Sequence, residues 1–302
     1  MNQPLTKNVL GRTGLEVTQL GYGAMEVRGG PRGREVSDEE AGKILNAVLD
    51  AGINFIDTSI DYGRSEELIG EHISHRRAEF YLASKCGCPT VPAAAGEHVF
   101  TRENIVAGVE QSLKRMRTDH LDIVQFHSSP SKATLKEEDA IQTLLDLQSQ
   151  GKIRFLGSSS TLPNLADHVE MGVFDEFQIP YSGLSREHED WIARAADAGI
   201  GTVIRGGVAK GQPGEGGGAE DTWAKWDEAG LESLLEAGES RTAFMLRFTL
   251  THPGLHTTIV GTKNPVHLAE NVAAAGRGPL SPDTYDEAKR RLDAAGVTAE
   301  PA

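Results

Sequence analysis

Four polar side chains, spread over seventy positions, could act together on a proton: Asp57, Tyr62, Lys85 and His127. Asp57 closes the short run Ile53-Asn54-Phe55-Ile56, which is apolar apart from Asn54. Tyr62 follows five positions later, past a polar turn. Gly63 and Ser65-Glu66-Glu67 then read as the start of a helix, with Ser65 as its N-cap and the glutamates suited to the positive end of the helix dipole. Lys85 ends the run Phe80-Tyr-Leu-Ala-Ser, and His127 ends Leu121-Asp-Ile-Val-Gln-Phe. An unperturbed phenol, with a pKa of about 10, is a weak acid near neutral pH. A neighbouring cation such as Lys85 would pull that value down. Each residue alone has a plainer reading: Asp57 as a cap or loop residue, Tyr62 as packing, Lys85 as a solvated strand end, and His127 as a satisfied polar group.

Shared action requires elements that bring these positions to one place. The chain alternates short apolar runs with amphipathic stretches. Strands are expected at Val17–Gly23 and near 53–57, 80–85, 121–127, 153–158, 174–179, 200–205 and 257–260. Helices are expected near 65–74, 102–117, 135–150, 163–172, 186–198, 241–252 and 265–275. A further helix precedes the second strand: Ser37-Asp-Glu-Glu40 reads as a capping box, followed by a stripe of Ala41, Ile44, Leu45, Val48 and Leu49 at helical period. Strands alternating with helices imply a parallel sheet, and eight units in about 300 residues match a closed (β/α)8 TIM barrel. A doubly wound sheet would need a glycine-rich fingerprint after its first strand, and Gly21-Tyr-Gly23 lacks the rest of it. Residues 7–18 read as a short N-terminal hairpin turning at Gly11–Gly14, with Leu10, Leu15 and Val17 capping one end of the core. Ser281-Pro282 opens an extra C-terminal helix. The whole chain, 1–302, is expected to be one barrel domain.

The sequence has 302 residues, 38% hydrophobic and 25% charged, with a net charge of −14. That balance argues against nucleic acid and anionic membrane partners, which need cationic surface, while leaving room for a local phosphate pocket. No run of about 20 apolar residues and no apolar leader is present, so a cytoplasmic protein is expected. The two cysteines, Cys86 and Cys88, suit a reducing compartment. With His98 they suggest a metal only weakly, because no second ligand pair is apparent, and no metal is expected.

The stretch D-T-S-x-x-Y-G-R-S-E-E-L-I-G, with Lys85 and His127 after it, resembles the signature and tetrad of the aldo-keto reductase family. The resemblance extends from about Leu10 to about Ala275 and includes L-G-R-T-G-L-E-V, G-K-I-R-F-L-G-S-S-S and G-T-K-N-P-x-H-L-A-E-N. It implies hydride transfer between NADP(H), favoured over NAD(H), and a small carbonyl or alcohol. Tyr62 would be the general acid, Lys85 would lower its pKa, Asp57 would hold Lys85, and His127 would orient the substrate oxygen. It implies cofactor contacts at Gly23 and Asp57, and at Ser159 and Gln178, which match carboxamide-binding positions. Ser160 stands where asparagine is usual, and Arg205, followed by Gly206, where an aromatic residue often stacks on the nicotinamide. Tyr181 is an alternative contact.

Asn264 and Pro265 read as N-cap and first residue of a helix whose start, with Thr262 and Lys263, suits an anion. The resemblance places the adenosine 2′-phosphate there, with His267 where arginine is common and Glu270 and Asn271 at adenine-binding positions. The alternative for Lys263 and His267 is a solvated helix start. Two insertions follow strand ends, at 86–100 and 206–222. The second is glycine-rich and reads as a lid over the cofactor or a plain surface loop. Trp223 and Trp226 either cover the mouth or pack in the core. The main rival function is a cofactor-sensing regulatory subunit of a membrane channel, which would keep the same tetrad. An isomerase or lyase would not need the cofactor residues. No oligomeric state is implied.

Overall fold

The strand ends that carry the four polar residues belong to one closed sheet. In the computed structural model, the described residues are 4–30, 33–90 and 97–302. Residues 91–96 of the first insertion, 31–32 of the loop before the capping box, and 1–3 lie outside them.

The hairpin pairs β1 (Lys7–Val9) with β2 (Glu16–Thr18) in antiparallel register. The chain then runs β3 (Leu20–Gly23), α1 (Asp38–Asp50), β4 (Phe55–Asp57), α2 (Ser65–His72), β5 (Tyr81–Cys86), α3 (Arg102–Met116) and β6 (Leu121–Phe126). It continues through α4 (Lys132–Glu137), α5 (Ala140–Ser149), β7 (Ile153–Ser159), α6 (Asn164–Met171), β8 (Glu176–Pro180), α7 (Glu189–Asp197) and β9 (Gly201–Arg205). The last elements are α8 (Glu220–Glu228), α9 (Arg241–Leu250), β10 (Thr257–Val260), α10 (Pro265–Gly276) and α11 (Pro282–Ala294). Strands β3 to β10 close a parallel barrel in chain order, with β10 returning to pair with β3.

Leu10, Leu15 and Val17 of the hairpin region join Phe55, Ala83, Ile123 and Val203 in a buried cluster that plugs the barrel. The expected first strand is therefore two elements: Val17 belongs to the hairpin and Leu20–Gly23 to the barrel. Asn54, the polar residue in the apolar run, ties the hairpin strand β2 to the start of β4. Its Oδ1 accepts from Thr18 N at 2.7 Å and its Nδ2 donates to Glu16 O at 2.8 Å.

The local signals at helix ends mostly hold. Ser37 and Glu40 form both bonds of the capping box, and Asn264 and Ser281 cap α10 and α11 ahead of a proline. Ser65 is not the N-cap of α2. Arg64 holds that position without a side-chain bond, and the Ser65 hydroxyl donates instead to Ala24 O at 2.8 Å. Glu66 is similarly drawn inward, where it accepts from Ser84 and Ser112 at 2.8 and 2.6 Å. The helix expected over 135–150 is two helices, because Asp139 takes a left-handed conformation with φ of 49°. The second insertion carries an unexpected helix, α8. Trp223 and Trp226 on it are buried: Trp226 meets the Phe244 ring edge-on at 5.5 Å and Trp223 Nε1 donates to Ala209 O at 3.2 Å. Of the two readings for these tryptophans, the structure takes packing.

Candidate active site

Asp57, at the tip of β4, pairs in register with Gly23 of β3 and Ala83 of β5. Lys85 lies one pleat further along β5, and His127 follows the last residue of β6. The three residues thus stand on adjacent strand ends on the C-terminal face of the barrel, where such barrels build their sites. The turn after β4 returns Tyr62 over them: Tyr62 N donates to Ser59 O at 3.0 Å and Ser65 N to Tyr62 O at 2.8 Å. Gly63 makes this turn possible. Its φ is +47°, and a Cβ there would lie 2.4 Å from Arg28 O.

Lys85 Nζ donates to Asp57 Oδ1 at 2.8 Å, to Asp57 Oδ2 at 2.7 Å and to Thr58 O at 2.8 Å. Gln178, from the end of β8, donates its amide to Asp57 Oδ1 at 2.8 Å. Burial pushes the Asp57 carboxyl up, and the Lys85 charge and its bonds pull it down. Burial pulls Lys85 down, yet the Asp57 charge leaves its pKa above the ordinary value. These two directions conflict for an ion pair. The geometry decides for charged partners: three donor contacts reach the two Asp57 oxygens and leave little room for a carboxyl proton.

Lys85 Nζ lies 5.2 Å from the centre of the Tyr62 ring, and Tyr62 meets His127 edge-on at 6.2 Å. Lys85 does pull the tyrosine pKa down, as expected, but the pull is outweighed. Burial is the largest influence and raises it. Lys85 and Arg205 oppose that rise, Asp57 and Asp61 add to it, and the result lies above the ordinary value. Much of the lysine charge is already spent on Asp57. The phenol is therefore a proton carrier throughout the neutral range, and Lys85 is placed to steady the phenolate left after the proton departs. His127 is held down at about 3, by burial first and then by the Lys85 charge, so its imidazole is neutral at pH 7.

A second group meets His127 from behind. Cys88 Sγ lies 3.1 Å and His98 Nε2 3.2 Å from His127 Nδ1, while Ser128 Oγ is 3.1 Å from His98 Nε2. Burial, then the Asp61 charge, push the Cys88 thiol up to about 12, so it keeps its proton. Were the thiol to donate to Nδ1, the ring proton of His127 would sit on Nε2, which has no protein hydrogen-bond partner among the described residues. Cys88, His98 and His127, one of them from the tetrad, thus converge within 4.8 Å of one another. Cys86, pointing the other way on β5, is buried and takes no part.

The remaining expected residues divide. Ser159 and Gln178 face each other in register across β7 and β8, and Gln178 is engaged with Asp57 through its nitrogen, leaving its carbonyl for another partner. Arg205 is half-buried at the tip of β9, where burial lowers its pKa and its charge acts on Tyr62 and Asp57. Gly206 is exposed at the start of the second insertion, and Gly23 is buried at the tip of β3. Thr262 is buried, and its carbonyl accepts from the Tyr22 hydroxyl at 2.7 Å. Lys263 reaches Glu35 O, while His267 and Glu270 are exposed and Asn271 half-buried on α10.

Two of the expected residues are engaged with other partners. The Ser160 hydroxyl is fully buried and bonds His168 Nδ1 at 2.7 Å. Tyr181 is buried with its hydroxyl near Tyr285 and Glu189, at 3.3 and 3.4 Å, under α11. The sequence gives no sign of Glu176, which lies fully buried inside the barrel, accepting from Gln125 at 3.3 Å. Gly157 makes room for it: a Cβ there would sit 2.2 Å from Glu176 Oε2.

Comparison with known proteins agrees with this architecture. The chain is 28% identical over 295 residues to the uncharacterized oxidoreductase YqkF of Bacillus subtilis, covering 92% of this chain and 93% of that one. It is 26% identical over 286 residues to the L-galactose dehydrogenase of Arabidopsis thaliana, covering 88% and 86% respectively. The holo form of aldo-keto reductase AKR11C1 from Bacillus halodurans superposes with a TM-score of 0.82 at 26% identity, covering 96% of each chain. With the Aldo/keto reductase family model matching residues 19–292, nearly the entire barrel, the chain belongs to the aldo-keto reductase family.

Proposed function

We propose that the protein is an NADP(H)-dependent oxidoreductase that interconverts a small carbonyl compound and its alcohol. The observation that carries this reading is the Asp57–Lys85 pair, buried and held by four donor contacts beside the Tyr62 phenol and the neutral His127. Such a cluster is costly to bury unless its members satisfy one another, and fixed groups of this kind can stabilise a charge that develops nearby. Bound NADP(H) would supply the hydride. His127 Nε2–H then donates to the carbonyl oxygen and orients it. Tyr62 gives its proton to that oxygen as negative charge builds, and Lys85 stabilises the phenolate. In the alcohol-oxidising direction the phenolate takes the proton back.

The donor set fits such a cofactor. Ser159 and the free carbonyl of Gln178 suit a carboxamide, and the half-buried Arg205 offers a flat cation at the ring. Lys263, His267 and the positive end of the α10 dipole suit a 2′-phosphate on a chain of otherwise acidic charge. Glu270 and Asn271, one turn further, suit the adenine.

The test is a panel of aldehydes, ketones and alcohols with NADPH and with NADH, followed at the absorbance of the reduced nicotinamide. Turnover of at least one carbonyl, faster with NADPH, is the expected result. Tight NADPH binding without turnover across the panel would favour instead a cofactor-sensing regulatory subunit, which keeps the same tetrad.

A further inference from the structure

The group behind His127 has the makings of a metal site. Cys88 Sγ, His98 Nε2 and His127 Nδ1 all lie within 4.8 Å of one another. Two of the separations are 3.1 and 3.2 Å. A tetrahedral zinc ion with bonds of about 2.0–2.3 Å separates its ligand atoms by roughly 3.4–3.6 Å. A central ion would therefore move His127 Nδ1 away from the other two atoms by only a few tenths of an ångström and hold Cys88 Sγ and His98 Nε2, which lie within 4.8 Å, on its other sides. Asp61 Oδ1 lies 3.9 Å from the same His127 nitrogen and accepts from Ser59 Oγ at 2.7 Å.

The scaffold is firm around these atoms. His127 follows β6, and its N–H donates to Cys86 O at 3.0 Å. Cys88 and Val99 are tied to α3 through Asn104, whose Nδ2 donates to both carbonyls at 3.1 and 2.7 Å. Val99 N also donates to Gly87 O at 2.7 Å, which closes the base of the loop that carries His98.

We propose that Cys88, His98 and His127 form a site for one divalent cation of the zinc type, with Asp61 or a water completing the tetrahedron. One thiolate and two imidazoles select zinc or cobalt over magnesium and calcium, which prefer oxygen ligands. A Cys88 thiolate and the Asp61 carboxylate together offset the two positive charges, and the metal itself drives off the thiol proton. Coordination at Nδ1 fixes the ring proton of His127 on Nε2, facing the cleft. The metal would therefore lock the histidine in its donor form rather than consume it.

Binding is read without turnover, so failure of the reductase reading leaves this inference standing. The full chain, stripped of metal, is titrated with Co²⁺ as the probe. The expected result is one Co²⁺ per chain, with tetrahedral visible bands and a near-ultraviolet thiolate-to-cobalt band, all displaced by Zn²⁺. Cys88→Ser removes the thiolate band, although Cys86 remains as an internal control. His98→Ala weakens Co²⁺ binding by about 100-fold, the upper end of what losing even an outer-sphere partner costs. The two variants are read separately, so either one that keeps its circular dichroism spectrum suffices. Absence of the thiolate band in the unmodified chain, or its persistence at full strength in Cys88→Ser, overturns the site. Unchanged affinity in His98→Ala overturns it equally.

Discussion

Replacing Lys85 with methionine tests the electrostatic heart of the barrel. The Lys85 side chain is fully buried and the Asp57 side chain 3% exposed. Methionine keeps most of the stem and removes three donor contacts at 2.7–2.8 Å, two of them to Asp57. Asp57 would keep only the Gln178 amide. Breaking a buried pair by removing one partner costs about 3–5 kcal/mol, because the remaining charge is stranded. Asp57 can escape by taking up a proton. In the variant its folded pKa then lies well above the unfolded value of about 3.9, so stability is fullest below that value and is lost as pH rises through the folded value.

Urea denaturation of Lys85→Met should therefore show a loss of about 3–5 kcal/mol at pH 8 and a smaller loss at pH 5. Adding Asp57→Asn removes the stranded charge and should recover part of the loss at pH 8. A loss below about 1 kcal/mol at pH 8, the range of an exposed ion pair, or no recovery in the double variant, would refute the reasoning.

Three further outcomes follow from particular contacts. Glu176 is buried, with its pKa raised well above the ordinary range by burial first and by Asp57 next. Its contribution is complete below the unfolded value of about 4.3 and is lost with rising pH. Glu176→Gln should therefore gain stability relative to the unmodified chain as pH rises from 5 to 8, as read by melting temperature. Ser37→Ala removes the bond from Glu40 N at 3.2 Å and should destabilise by about 1 kcal/mol in urea. Lys263→Ala should weaken NADPH about 10- to 100-fold, the value of a charge-assisted bond, with little effect on NADH in fluorescence titration.

Much of the fold was legible because its signals are local. Strand ends, the capping box at Ser37 and the Asn264-Pro265 helix start depend on residues a few positions apart. The same locality placed Asp57, Tyr62, Lys85 and His127 at strand ends. What was not legible depends on partners beyond the reach of a local pattern, most of them far away in the chain. Ser65 has a cap's chemistry, but the carbonyl of Ala24, just past β3, claims its hydroxyl. Ser160 is turned inward by His168. Gln178 spends its amide on Asp57, 121 positions earlier. The Tyr62 pKa could not be signed from spacing, since it rests on the balance of burial against a lysine already committed to Asp57. The meeting of Cys88, His98 and His127 needs the barrel to bring one loop behind the neighbouring strand end.

The central claim is that the Tyr62 phenol supplies the proton to the substrate oxygen. The direct measurement is turnover of Tyr62→Phe with NADPH and the best carbonyl of the panel, alongside NADPH affinity by fluorescence. Phenylalanine keeps the ring and its contact with His127 and removes only the hydroxyl. Turnover should fall by at least about 10²-fold, the lower end of general acid catalysis, while NADPH binds as before. Turnover close to that of the unmodified protein would contradict the account.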